Sequence, residues 1–173
     1  MPRTTFPLIE VSGSSHEMGR QHGTLVAEKI HSYLEWIEKL TGVPRARLSR
    51  NAIQLLPYIE AVSSKFVEEI RGLAIGAEIS FEDAVLCQVR AEATHTVDEA
   101  CTAFALTGEA TLNQSTILGQ NQDLEPEYEN VAVLLRVTPD DGRPSALMFT
   151  FAGQLGYSGM NDRGIAHFAN AIY

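Results

Sequence analysis

Cysteine is nearly absent from this chain: only Cys87 and Cys101 occur among 173 residues. Two are too few for a disulfide framework, so each reads as a packing residue or a reactive thiol. Positive charge is also scarce, with 13 basic against 22 acidic side chains, a formal net charge of -9, and no lysine after Lys65. That sign argues against a general attraction to nucleic acid or anionic lipid. No apolar run approaches the ~20 residues of a membrane span. The stretch from Met1 to Val11 lacks the basic start and apolar core of a secretory signal. No nucleic-acid partner, no membrane partner and a cytoplasmic location are the resulting expectations. Internal repeats and low-complexity segments are missing too, and the apolar fraction of 45% with 20% charged residues is that of a globular chain.

What is present changes character near residue 100. Residues 1–100 hold 10 basic and 14 acidic side chains, whereas 101–173 hold 3 and 8. The first part reads as three helices. Ser14 with Glu17 makes a capping box, and Ile30, Tyr33, Leu34 and Ile37 recur at helical spacing up to a stop near Gly42-Val43-Pro44. Ile59, Val62, Phe66, Ile70 and Leu73 mark a second helix, with Pro57 in its first turn and Gly72 and Gly76 as a frayed end. Ser80 and Asp83 cap a third that carries Ala84, Val85 and Val89.

Beyond residue 100 the period shortens. Cys101 to Leu106, Ile117 to Asn121, Val131 to Val137 and Leu147 to Phe151 read as strands, with a glycine-rich pair expected between Gly153 and Ala171. Asp140-Asp141-Gly142-Arg143-Pro144 supplies the turn of an antiparallel hairpin. Apolar residues at alternate and intervening positions of 131–137 predict a sheet covered on both faces. The fold class is therefore α+β, with a helical segment over 1–100 and a β-sheet domain starting at 101.

Chemistry concentrates where the two parts meet. Cys101 follows the acidic approach Asp98-Glu99-Ala100 and leads an apolar strand, so it is a candidate nucleophile or a small packed hydrophobe. Cys87, inside a helical pattern beside Leu86, reads as a packing residue. Gly119-Gln120-Asn121-Gln122-Asp123 ends a strand in amide and carboxylate groups able to orient an amine, a thiolate or a carbonyl. A turn centred on Asn161, within Asn161-Asp162-Arg163-Gly164-Ile165-Ala166, forms a third element, with Asn170 beyond it. A pairing of Cys101 with His167 is a weaker alternative. A metal site on His16, His22 and His31 is disfavoured by spacings that do not share one helix face. His22 is expected to pack or cap within the first helix.

Together these motifs resemble the acyl-coenzyme A:6-aminopenicillanic acid acyltransferase family, the C45 peptidase family of N-terminal nucleophile hydrolases. Ser14 to Gly23 is similar to the family's Glu-x-Gly-x-x-His-Gly helix, here Glu17, Gly19, His22 and Gly23. Cys101-Thr102 is similar to its cleavage-site Cys-Thr, residues 119–123 to its Gly-Gln-Asn-x-Asp strand end, and the Asn161 turn to its Asn-x-x-Gly-(Ile/Val)-Ala pattern. The resemblance implies part of an αββα sandwich behind a helical pro-segment, and a zymogen that cuts its own Ala100–Cys101 bond. It further implies a Cys101 acyl-enzyme, with Asp123 holding the new amino terminus or aligning the thiol, Asn121 and Gln120 in support, and Asn161 at the substrate or oxyanion site. Neither cofactor nor metal is implied. The substrate would be an acyl amide or thioester, acyl-coenzyme A among them, and the product of cleavage a two-chain heterodimer. A non-catalytic, unprocessed binding module is the alternative. Ala100 stands where the best-known members have glycine, and the resemblance is to the amino-terminal half of such proteins.

Overall fold

The computed structural model describes residues 5–94 and 100–170. Asp98 and Glu99, the acidic approach to Cys101, lie outside the described residues, as does Ala171. The chain is α+β, as its sequence predicts. Strand β1 (Leu8–Gly13) precedes helices α1 (Ser15–Leu25), α2 (Ala27–Thr41), α3 (Arg45–Ala52), α4 (Leu56–Val62), α5 (Ser64–Gly76), α6 (Phe81–Gln88) and α7 (Arg90–Thr94). Strands β2 (Ala100–Leu106) and β3 (Ile117–Asp123) follow. The short helix α8 (Tyr128–Val131) then leads into β4 (Ala132–Pro139), β5 (Ala146–Phe151), β6 (Ser158–Asn161) and β7 (Ala166–His167).

Five strands form one sheet in the order β1-β4-β5-β6-β7, while β2 and β3 pair separately. The β4–β5 ladder is antiparallel and runs from Ala132 opposite Phe151 to Val137 opposite Ala146, with the Asp140–Pro144 turn at its end. β1 is a strand ahead of the first helix, in a segment 1–100 read as mostly helical. It joins β4 in parallel, Ile9 opposite Leu135 and Val11 opposite Val137. The local signal was only Ile9 and Val11 inward with Glu10 outward. Its partner lies more than a hundred residues away and no local pattern announces it. Arg136 pairs with Glu10 across this ladder.

The helices also differ in their breaks. The single helix expected from Ser14 to Gly42 divides at Val26, whose backbone leaves the helical region (φ -130, ψ 26) while its side chain stays buried. Gly42 then stops α2 in the left-handed conformation, as a helix-terminating glycine does. Ser63, extended at φ -166, separates α4 from α5 and caps the latter. α5 ends at Gly76 as expected, but Gly72, inside the helix, and Gly76, its last residue, both pack against α1 beside Gly19 and Gly23.

That contact is a close one between backbones. A Cβ on Gly19 would stand 1.9 Å from the Glu69 carbonyl oxygen, and one on Gly72 would stand 1.9 Å from that of His16. Gly23 and Gly76 meet backbone at 2.4 and 2.1 Å in the same way. Four-residue spacing puts each pair of glycines on one helix stripe, so the two backbones touch directly. Each glycine costs its helix about 1 kcal/mol relative to alanine, and the close packing offsets that cost.

One face of the five-stranded sheet lies against these helices. Ile9, Val11, Val133 and Leu135 are buried there with Met18, Ile30, Leu34 and Ile70 in a continuous core. Tyr33 stacks on Trp36, and Trp36 meets Tyr128 edge-on. His22 and Glu69 are among the titratable groups buried with this core. His22 is pushed down to about 4 by burial alone. Its Nε2 accepts the Gly153 N–H at 3.3 Å, joining α1 to the turn after β5 and fulfilling its expected packing role. Glu69, 6% exposed, is pushed up to about 7 by burial, against a smaller opposing pull from Arg143.

Two predictions follow from the packing and the buried charges. Gly19→Ala or Gly72→Ala drives a methyl group into rigid backbone and should cost about 3 kcal/mol or more in urea unfolding, whereas truncating the exposed Leu112 should cost almost nothing. The His22 contribution is complete above its ordinary value of 6.5 and is lost as pH falls toward 4. The Glu69 penalty runs the other way: absent below 4.5, it grows as pH rises toward 7. Unfolding curves should show Glu69→Gln more stable than the parent by up to about 3 kcal/mol near pH 8, with the gap closing near pH 5.

Candidate functional site

The second sheet is the hairpin of β2 and β3. Its register sets Ala100 opposite Asp123, Cys101 opposite Gln122, Thr102 opposite Asn121 and Phe104 opposite Gly119. Directly opposed residues share a face and successive residues alternate. Cys101 therefore shares its face with Gln122 and Gln120, while Asn121 and Asp123 share the other with Thr102. Gly119 is small for a visible reason: a Cβ there would lie 2.4 Å from the Phe104 ring.

The Cys101 face of the hairpin turns toward the second face of the large sheet. Between them lies a cavity of about 630 Å3, walled by Leu134, Leu147, Phe149 and Phe151 on one side and Leu118, Gln120 and Gln122 on the other. Gln120 joins the two layers. Its Oε1 accepts from Ser158 Oγ at 3.1 Å, and its Nε2 donates to the Ala169 carbonyl at 2.6 Å and Asn170 Oδ1 at 2.8 Å. Gln122 Nε2 and Glu125 Oε2 are buried beside this cavity without a hydrogen-bond partner. Gln122 is directly across from Cys101 and falls at the unspecified position of the Gly-Gln-Asn-x-Asp pattern, so it was legible only as one of the cluster of amides at the strand end.

Cys101 is half-buried and Cys87 fully buried. Burial pushes the Cys87 thiol up to about 12, with smaller help from Asp83, consistent with a packing role. Asp83 itself is raised by burial but brought below its ordinary value by hydrogen bonds from Arg45 and Ser49. It fixes α3 to α6 and takes no part in the hairpin.

Asn161 closes its turn as expected: Oδ1 accepts the N–H groups of Arg163 and Ile165, both at 3.0 Å. It does not share the Cys101 cavity. Its side chain borders a second cavity on the helix face of the large sheet, together with His167. The Cys101–His167 pairing therefore finds no support, because the large sheet stands between the hairpin and the cavity that His167 borders. His31 Nε2 is 3.0 Å from the Ala77 carbonyl oxygen, and among the described residues no three His, Cys, Asp or Glu side chains are grouped to hold a metal ion. No helix among them is long and apolar enough to cross a membrane.

The amino-terminal motif resolves into separate physical tasks. Glu17 is held down to about 2 by hydrogen bonds from Arg20 and Gln21. Gln21 in turn accepts the Ser12 N–H and donates to the Ser12 carbonyl, fastening α1 to β1. Gly19 and Gly23 admit α5, and His22 holds Gly153.

No family model matches the chain. Among curated proteins it is 28% identical over 174 residues to the acyl-coenzyme A:6-aminopenicillanic-acid-acyltransferase 40 kDa form of Emericella nidulans, a match covering 95% of this chain and 47% of that protein. The chain thus spans about half the length of the curated relative it matches. The match runs along nearly the whole of an α+β chain whose Cys101 leads the first strand of the hairpin. The resemblance to the acyl-coenzyme A:6-aminopenicillanic acid acyltransferase family read from the motifs is borne out.

The two thiols should separate chemically. Brief treatment with iodoacetamide followed by peptide mass mapping should modify Cys101 and leave Cys87 untouched until urea is added.

Proposed function

We propose that the chain is the nucleophile-bearing part of a self-processing cysteine N-terminal nucleophile amidohydrolase or acyltransferase. The supporting observation is the place of Cys101: second residue of β2, at the end of the ladder with β3, on the face that turns to the apolar cavity. In this reading 1–100 is the pro-segment and 101–173 begins the nucleophile domain. The helix layer, the large sheet and the hairpin correspond to three layers of an αββα sandwich.

Processing starts with Cys101 Sγ attacking the Ala100 carbonyl carbon. The C–N bond breaks, the Cys101 nitrogen takes up a proton, and a thioester joins Ala100 to Cys101. Water then hydrolyses it, leaving a carboxylate on Ala100 and a free amine on Cys101. That amine, of ordinary pKa ~7.7–8.0, is a competent base for its own thiol. Asp123 stands opposite Ala100 in the ladder, one position before the new terminus, which suits its carboxylate to holding the ammonium. Asn121 and Gln120 support the strand, and Gln120 fixes the hairpin to β6.

In turnover the thiolate attacks the carbonyl of an acyl amide or thioester, acyl-coenzyme A included. The amine or thiol leaves with a proton, and the acyl group passes from Cys101 to water or an acceptor amine. No cofactor or metal enters. Asn161 keeps a place at the substrate only if the full-length protein brings its turn to the thiol. The mature form is a two-chain heterodimer acting in the cytoplasm. Until cleavage, the Cys101 nitrogen is an amide and cannot act as a base, so the precursor is a non-catalytic form.

Denaturing mass spectrometry of the purified protein tests the first step. The 19.0 kDa chain should divide into pieces of roughly 11 and 8 kDa, and Cys101→Ala should stay whole. An uncut parent chain over days, in this length and in one extended to the length of its relative, would refute self-processing.

A further inference from the structure

The second cavity, of about 600 Å3, lies between α4, α5 and α6 and the helix face of β4, β5 and β6. It has the size and apolar walls of a small-molecule site. Three of its polar lining groups are Glu69, Arg143 and Asn161. Asn161 is opposite Ala146 in the β5–β6 ladder, three residues after Arg143, and Arg143 acts electrostatically on Glu69.

The hydrogen-bond inventory of these groups is unbalanced. Arg143 donates through Nε to both Asp141 oxygens at 2.9 Å and through Nη2 to Ser15 Oγ at 2.8 Å, which among the described residues leaves Nη1 uncommitted. Asn161 uses Oδ1 for its turn and leaves Nδ2 uncommitted. Glu69 borders the same space, 94% buried by its 6% exposure, and makes no hydrogen bond or ion pair among the described residues. Lys65 also binds Asp141, so one carboxylate is shared by two cations. Arg143 and Asn161 thus give this corner a surplus of donors above a wall of apolar side chains, and burial favours the uncharged form of Glu69 beside them.

We propose that this cavity binds an apolar monocarboxylate, its carboxylate taken by Arg143 and Asn161 and its chain lying among Ile59, Phe66 and Met148. Glu69, in its protonated form, donates to the same carboxylate. The occupant lies across the large sheet from Cys101, so the site does not depend on the nucleophile or on processing. An amine fits less well, because its charge would meet Arg143 and its N–H groups would add to donors already in excess.

Hexanoate, hexylammonium and hexanol serve as matched probes in isothermal titration and thermal unfolding of the parent chain. Hexanoate should bind and raise the unfolding midpoint, and the other two should not. Glu69→Gln keeps a donor and removes a competing negative charge, so it should bind hexanoate at least as tightly. Arg143→Gln should weaken binding by ~10-fold or more. Arg143→Lys, which keeps the charge and loses the planar fork, should weaken it by a smaller factor and covers the case in which the glutamine variant does not fold. Absence of hexanoate binding to the parent overturns the proposal. So does equal binding by the parent and a folded Arg143→Gln variant, or binding of hexylammonium that is lost in Glu69→Gln.

Discussion

Two helix backbones in direct contact set the terms for everything else in this molecule. With Gly19 and Gly23 against Gly72 and Gly76, α1 and α5 leave no room for a side chain between them. Their remaining faces are then committed: Met18 and Ile70 go into the core, His22 meets the turn after β5, and Glu69 goes under the sheet. Because α1 is also fastened to β1 through Gln21, the helix pair and the sheet form a single frame. The glycines are poor helix formers, and their presence in helix interiors reflects an approach distance rather than local conformational preference.

From that frame the two faces of the large sheet acquire different characters. The helix face is filled by aliphatic side chains over most of its area and opens where α4, α5 and α6 stand off from β5 and β6. The other face is aromatic, with Phe149 and Phe151 in edge-on contact, and its neighbour is a hairpin joined to it through Gln120. A polar bridge is a spacer: it fixes the layers at a distance, and the apolar surfaces on either side remain apart around a cavity.

Much of this was legible in the residues, and what was missed shares a cause. The caps at Ser14 and Ser80, the stop at Gly42, the strands after residue 100 and the Asp140–Pro144 turn are local chemistry, written in consecutive positions. The breaks at Val26 and Ser63, the packing of Gly72 and Gly76, and the parallel partner of β1 depend on residues distant in the chain. Gly76 does close α5, but its packing and that of Gly72 against α1 carry no local signal, because a glycine near a helix end looks the same whether or not it admits another helix. In the candidate site, the strand-leading Cys101 and its amide-rich partner strand were visible in advance. The alternation that sets Asn121 and Asp123 on the face away from the thiol needed the register, and Asn161 lies on the far side of a sheet whose layering no motif encodes.

The parallel ladder of β1 with β4 has a consequence for a chain interrupted at residue 100. Six residue pairs, from Leu8 opposite Leu134 to Gly13 opposite Pro139, tie the first segment to the last, and Lys65–Asp141 and His22–Gly153 cross the same divide. Neither piece carries a complete core: the strands beside β1 belong to one and the helices over them to the other. A nick would therefore turn a unimolecular folding equilibrium into a bimolecular one. Stability would then depend on protein concentration, and dilution would favour loss of both partners together rather than release of one intact domain.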